Sequence, residues 1–246
     1  MREASLQEVL EASFDHQVGG IYTAIPGIVV TVRDNFSNLT IDAQPAINMK
    51  GVDGTIAERP VVQNIPVQMP ASSTSAITFP VNVGDSVLLV YSMRGLDVWK
   101  RGTGRQGVPS DNRKFDERDC FAIPGVFPIG NSVNNPSRHI WPHNPQDMVV
   151  VNRLSTGEET EIRLPQSGGV YISTNQDVAV DCRNATVLAD TSATITTPSL
   201  TVNAEESVWT GNITHAGNYT MTGTASFNGV IFNTHIHGSS PPPSNP

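Results

Sequence analysis

Two histidines alternate close to the end of the chain, His235 and His237 in "FNTHIHGSSPPPSNP". On a strand, residues i and i+2 face the same way, so both imidazoles project to one side together with Asn233, while Ile236 points oppositely. Two nitrogens do not complete the shell of a structural metal. Three chains meeting on one axis would bring six, arranged as the two triangles of an octahedron seen down its threefold axis. Structural zinc prefers four tetrahedral ligands, so all-imidazole six-coordination points to iron, nickel or a similar imidazole-loving ion. Gly238 permits a tight turn after the histidines, and the prolines that follow set a stiff extended end.

Other side chains with chemical reach are weaker candidates. Glu158, Glu159 and Glu161 in "STGEETEIRL" could supply the carboxylate pair of a glycoside hydrolase, yet they read as a solvated hairpin turn. A metallohydrolase built on His235, His237 and His215 would need a general base, and no carboxylate lies near 235–237. His139 and His143, in "SRHIWPH", read as loop or interface residues. Cys120 and Cys182 stand 62 residues apart and fit no C-x-x-C pattern, so two reduced, separately packed thiols are expected. Arg94, Lys100, Arg101 and Arg105 form the basic cluster of the chain, a solvated loop that could also meet an acidic partner surface.

The elements that position these groups change character along the chain. Leu6, Val9, Leu10 and Phe14 fall at spacings of 3 and 4, behind Ser5 as N-cap and Glu8 three residues on. A short amphipathic helix is expected there, stopped by Gly19-Gly20. From residue 20 the period changes to two: Ile28, Val30 and Val32 alternate with Val29, Thr31 and Arg33, and "LTIDA" follows a polar turn. Further short strands are expected in "VVQNIPVQMP", "ITFPVNVGDSVLLVYS", "DVWKRG" and "DCFAIPGVFPI". Short strands without substantial helices over residues 20–129 predict a small Greek-key barrel of OB type. Residues 130–147 hold Pro136, Pro142, Pro145 and four Asn, and read as a linker.

Beyond the linker, residues 148–232 contain three basic residues, Arg153, Arg163 and Arg183, and a dense alternation of Val, Ile, Thr, Ser and Ala. Units of 5–6 residues recur every 7 to 8, broken by "NQD", "RN", "DTS" and "AEES". A single-chain β-helix needs about 20 residues per rung and would be stubby here. Three chains wound round one axis would give a slim needle without free sheet edges. An intertwined trimeric β-helix or β-prism is therefore expected over 148–232, with residues 233–246 at its apex.

Composition excludes some functions. Charged residues are 15% of the chain and the net charge is −8, which disfavours a nucleic-acid backbone as partner. The first residues, with Arg2, Glu3, Glu8 and Glu11, lack the apolar core of a signal peptide, and folding in a cytoplasm is expected.

"FPVNVGDSVLLVYSMRGLDVW", the Thr/Val-rich repeats and the terminal "THIHGS" together resemble the central spike of a contractile-tailed phage baseplate. The similarity is to the short membrane-piercing type that lacks a lysozyme domain, and it covers residues 20–246. The resemblance implies a homotrimer with no enzymatic activity, seated on a tail-hub protein through its OB domains. It implies an apex in which His235 and His237 of each chain bind one iron ion per trimer. It also implies a place at the virion's tail tip and mechanical passage through the host outer membrane. A trimeric tailspike that binds or cleaves surface polysaccharide is the alternative.

Overall fold

The computed structural model describes residues 5–34, 39–51, 53–228 and 230–231. It is mostly β, with few helices. By their internal contacts the residues divide into two units, up to Val180 and from Asp181.

Helix α1 spans Leu6–Gly19. Its N-terminus carries the capping box the sequence predicts: the Glu8 N–H donates to Ser5 Oγ at 3.2 Å, and the Ser5 N–H donates to Glu8 Oε2 at 2.7 Å. Two of the helix's orphan donors are thereby satisfied.

The following strands are β1 (Ala24–Asp34), β2 (Leu39–Pro45), the short hairpin β3 (Met49–Lys50) and β4 (Ile56–Ala57), β5 (Val62–Pro66), β6 (Ser86–Tyr91) and β7 (Cys120–Pro124). Five of them form an antiparallel sheet in the order β5-β2-β1-β6-β7, curled into a half-barrel. The two ends of the sheet meet at a parallel bridge between Val67 and Ala122, where the Gln68 N–H donates to Ala122 O at 2.8 Å. Val29, Ile41, Ile65, Val87, Leu89, Cys120 and Ala122 fill the concave side. Gly27 lies against this core because a Cβ there would come within 3.1 Å of Leu89.

Two local expectations change, and a third feature fixes what alternation left open. A bulge between Val29 and Thr31 shifts the pairing of β1 with β2, so Val29 is buried while Ile28 and Val30 stand exposed. The extra residue re-aims the pleat. "DVWKRG" forms the helix α2 (Asp97–Arg101) in place of a strand, with the Lys100 N–H donating to Leu96 O and Trp99 packed edge-on against Phe121. Residues 77–83 make no strand: Pro80 removes a ladder donor, and Asp85 caps the turn by accepting from the Asn82 N–H at 2.7 Å. The glycine-rich loop after α2 is pinned by Arg113, which pairs with Asp97, Asp111 and the buried Asp119.

Residues 131–147 are folded against a second sheet of β8 (Met148–Asn152), β9 (Thr160–Leu164) and β10 (Tyr171–Thr174), in the order β10-β9-β8. They enter through 3-10 turns at Ile129–Asn131 and Pro136–Arg138. Glu159 is the anchor. Its carboxylate accepts from the N–H groups of Ile140 and Ser155, and its carbonyl accepts from Trp141 Nε1.

The second unit departs most from expectation. Its described strands are the two-residue hairpin partners β11 (Ser226–Phe227) and β12 (Val230–Ile231). From Val178 to Thr222 the described chain forms no strand and no backbone–backbone hydrogen bond.

Candidate functional site

The sheet β10-β9-β8 has two unlike faces. Val149, Arg163 and Tyr171 lie in one row across it, and Val151, Glu161 and Ser173 in the next. Segment 131–147 attaches to this face: Arg163 Nη1 donates to Pro142 O at 2.8 Å. The opposite face carries the rows Val150–Ile162–Ile172 and Met148–Leu164, and ends in Asn152–Thr160–Thr174. It holds no charged residue. Its five aliphatic side chains are exposed, and the threonines close its polar end through an Oγ1–Oγ1 contact of 2.9 Å.

The second unit presents the same condition along its length. Val187 is 83% exposed and Leu188 91%, and Ile195, Leu200, Val202, Val208, Trp209, Ile213 and Tyr219 are exposed as well. Backbone donors and acceptors without a partner in their own chain are open to water or to another chain, and a long row of open apolar side chains marks a contact surface.

The glycines set a period within this stretch. Gly211, Gly217 and Gly223 have φ of 111°, 130° and 119°, values only glycine adopts readily. They are six apart, and in sequence Gly229 is next, giving "GNITHA", "GNYTMT", "GTASFN" and "GVIFNT". Ile213, Tyr219, Ala225 and Ile231 share the third place of each unit, and Asn or Thr fills the second place of the first three. Counting on by six, His235 takes the glycine place and His237 the third. The spacing of 7 to 8 read from the apolar residues is thus replaced here by a hexad, and the left-handed glycines are the signal that was missed.

His235 and His237 themselves lie outside the described residues. Among the described residues, no group of three or more His, Cys, Asp or Glu could hold a metal ion. His215 is held locally, its Nε2 3.0 Å from Asn218 O. The three glutamates do not share a groove: Glu158 pairs with Arg153 on the surface, whereas Glu159 and Glu161 are fully buried instead of solvated. Lys100 and Arg101 line a groove of about 630 Å³ beside Asn64, Glu117 and Arg118, and Arg94 and Arg105 line another beside Trp99. The Cys120 thiol is sealed in the barrel, and burial pushes its pKa up to about 12, whereas Cys182 is exposed.

The half-barrel is the part of the chain with a recognised likeness. Residues 25–125 match the family model of the phage protein Gp138 N-terminal domain. The matched stretch runs from β1 to the end of β7, and indicates a structural protein of a phage tail or baseplate, hence a virion component. No curated protein matches the chain. The Gp138-like half-barrel is thus the part of known kinship, and both uncovered surfaces lie beyond it in sequence.

Proposed function

We propose that this chain is the subunit of a homotrimeric central spike, the needle at the baseplate tip that is driven through the host outer membrane when the tail sheath contracts. The observation that carries the reading is the stretch from Val178 to Thr222, which exposes its apolar side chains and, among the described residues, forms no backbone–backbone hydrogen bond. Winding three such stretches together would pair their backbones and cover those side chains. The uncharged face of β10-β9-β8 fits the same arrangement. In a molecule of net charge −8, a surface that packs against its own copies must avoid like charges.

The half-barrel is read as an OB domain. Its strand order and the parallel bridge between its first and last strands support that topology. It would seat the spike on the tail hub. At the other end, the hexad phase carries His235 and His237 from each chain to one place along the repeat, and six imidazoles would bind one iron ion. Such a staple holds three chain ends that would otherwise fray. Piercing is mechanical and needs no catalytic group.

Two measurements on the full chain test this together. Light scattering should give three times the chain mass of 26.4 kDa, and elemental analysis should give one iron per three chains. A monomeric mass defeats the spike. A trimer without metal, or with one metal per chain, defeats the apex and leaves the needle standing.

A further inference from the structure

Helix α1 is a third uncovered element. Leu6, Val9, Leu10, Phe14 and Val18 run down one side of it, with Leu6 75% and Phe14 69% exposed. At about 100° per residue, Glu8 and Glu11 fall together along one edge of that stripe. Glu8 closes the capping box, and Glu11 accepts from Gln7 Nε2 at 3.0 Å. A helix of 14 residues is marginal in water by itself and draws its stability from packing of its apolar face. In its own chain that face is open.

The groove beside Trp99 has the complementary character. It encloses about 940 Å³, and Val98, Trp99 and Val108, all exposed, give it apolar walls. Arg94 and Arg105 stand at the same groove, exposed and without an ion pair among the described residues. The carboxylate that also lines it, Asp111, is taken by Arg113. Arg113 further pairs with Asp97 and Asp119, which holds the loop that shapes the groove. An apolar groove with free arginines suits an apolar segment that carries carboxylates.

We propose that α1 of one chain lies in this groove of a second copy, its stripe against Val98, Trp99 and Val108 and its acidic edge toward Arg94 and Arg105. Charge selects the segment, and the root of the helix selects the copy. Tyr22, two residues past Gly20, packs on Tyr91 with ring centroids 5.1 Å apart, and the Tyr91 N–H donates to Thr23 O at 2.9 Å. The root of α1 is thereby fastened to β6 while helix and groove both stand open in the one chain. Every copy offers one arm and one socket in a fixed relation. Unlike patches of this kind make a head-to-tail contact, which closes into a ring when the rotation allows. A 14-residue helix is about 21 Å long, enough to bridge neighbouring half-barrels.

The docking rests on the trimer reading for its second copy, but it can fail separately. Two full-length chains, both Cys182→Ser, are co-expressed, one with Phe14→Cys and the other with Val108→Cys, and treated with a short flexible bis-maleimide. Cys120 is buried and gives little background. A covalent dimer of the unlike chains is expected, identified by mass spectrometry. Arg105→Glu or Gly107→Leu in the Val108→Cys chain should each lower its yield several-fold. A Cβ at Gly107 meets only Val98 Cγ1, at 3.7 Å, so the longer side chain fits there and occupies the groove. Dimers of the Phe14→Cys chain in place of mixed ones would mean that α1 packs on α1. A link inside a single chain carrying both cysteines would mean that α1 folds onto its own groove. Either result overturns the proposal, as does a trimer without the mixed link or a link indifferent to both substitutions. A monomeric mass in light scattering would remove the second copy and overturn both readings.

Discussion

Asp42 and Asp119 show how much of the half-barrel depends on single charges. Asp42 is buried, accepts from the Asn64 N–H at 3.0 Å, and pairs with Arg33. Asp119 is buried, accepts from the Leu96 N–H at 2.8 Å, and pairs with Arg113. Burial alone would raise both carboxyls, but the guanidinium and N–H bonds together hold both below their ordinary values. Depressed carboxyl pKa values mean stability that is present at neutral pH and is lost as pH falls through and below the usual carboxylate range. The urea midpoint of the half-barrel should accordingly drop in acid, and Asp119→Asn should flatten that drop. Asp119→Ala orphans the Leu96 N–H while Arg113 keeps Asp97 and Asp111, and should cost about 1–3 kcal/mol in equilibrium unfolding. None of this was legible in the sequence, where Asp42 reads as one polar residue of "LTIDAQ". A buried charge shows itself only through partners that lie 9 to 22 residues away. Cys120 was legible, since the lack of a C-x-x-C pattern predicted two separately packed thiols; Cys120 is buried as expected and Cys182 is exposed. Cys120 should resist maleimide in the native protein and react only on unfolding, as mass spectrometry would record.

At the scale of elements, the features that were legible are those with a local cause. The α1 capping box and the Val87–Tyr91 strand behind its Gly-Asp turn are written in adjacent residues. Ser5→Ala should cost the helix about 1 kcal/mol, seen as a loss of helical ellipticity with the β signal unchanged. The bulge in β1 was not legible, because one extra residue inverts which side of the strand faces inward and no residue type announces it. Alternation left open which row faces inward, and the pairing of Val29 with Ala43 puts Val29 there. The half-barrel's packing also turns on Gly27. Gly27→Ala would place a methyl 3.1 Å from Leu89, and overpacking of that kind should cost about 1–3 kcal/mol, measured by thermal unfolding. In α2, "DVWKRG" was expected as a strand, and the Lys100-to-Leu96 bond with the Trp99–Phe121 contact makes it a helical turn.

At the scale of the molecule, the Val178–Thr222 stretch joins sequence to function most directly. Its composition announced strands, and one chain supplies none. Those two facts agree once the strands' partners are other copies of the same chain, because pairing between chains is invisible in one of them. Exposed aliphatic residues such as Val187 and Leu188 would then be the interior of an assembly. In the proposed trimer Val187→Asp would place a charge from each of three chains around one axis, with neither solvent nor counter-ion, and unpaired buried charges are strongly disfavoured. Sedimentation of the full-length variant should therefore shift from trimer toward monomer. Hydrogen exchange over 178–222 should rise toward the rate of an unstructured chain, since among the described residues no backbone–backbone bond protects those amides. The half-barrel, whose core is made wholly from residues 29–122, should keep its protection in the same sample. A variant that stays trimeric with 178–222 still protected would mean that Val187 faces solvent. A wild-type chain with 178–222 unprotected would mean that the stretch has no partner, and would overturn the needle.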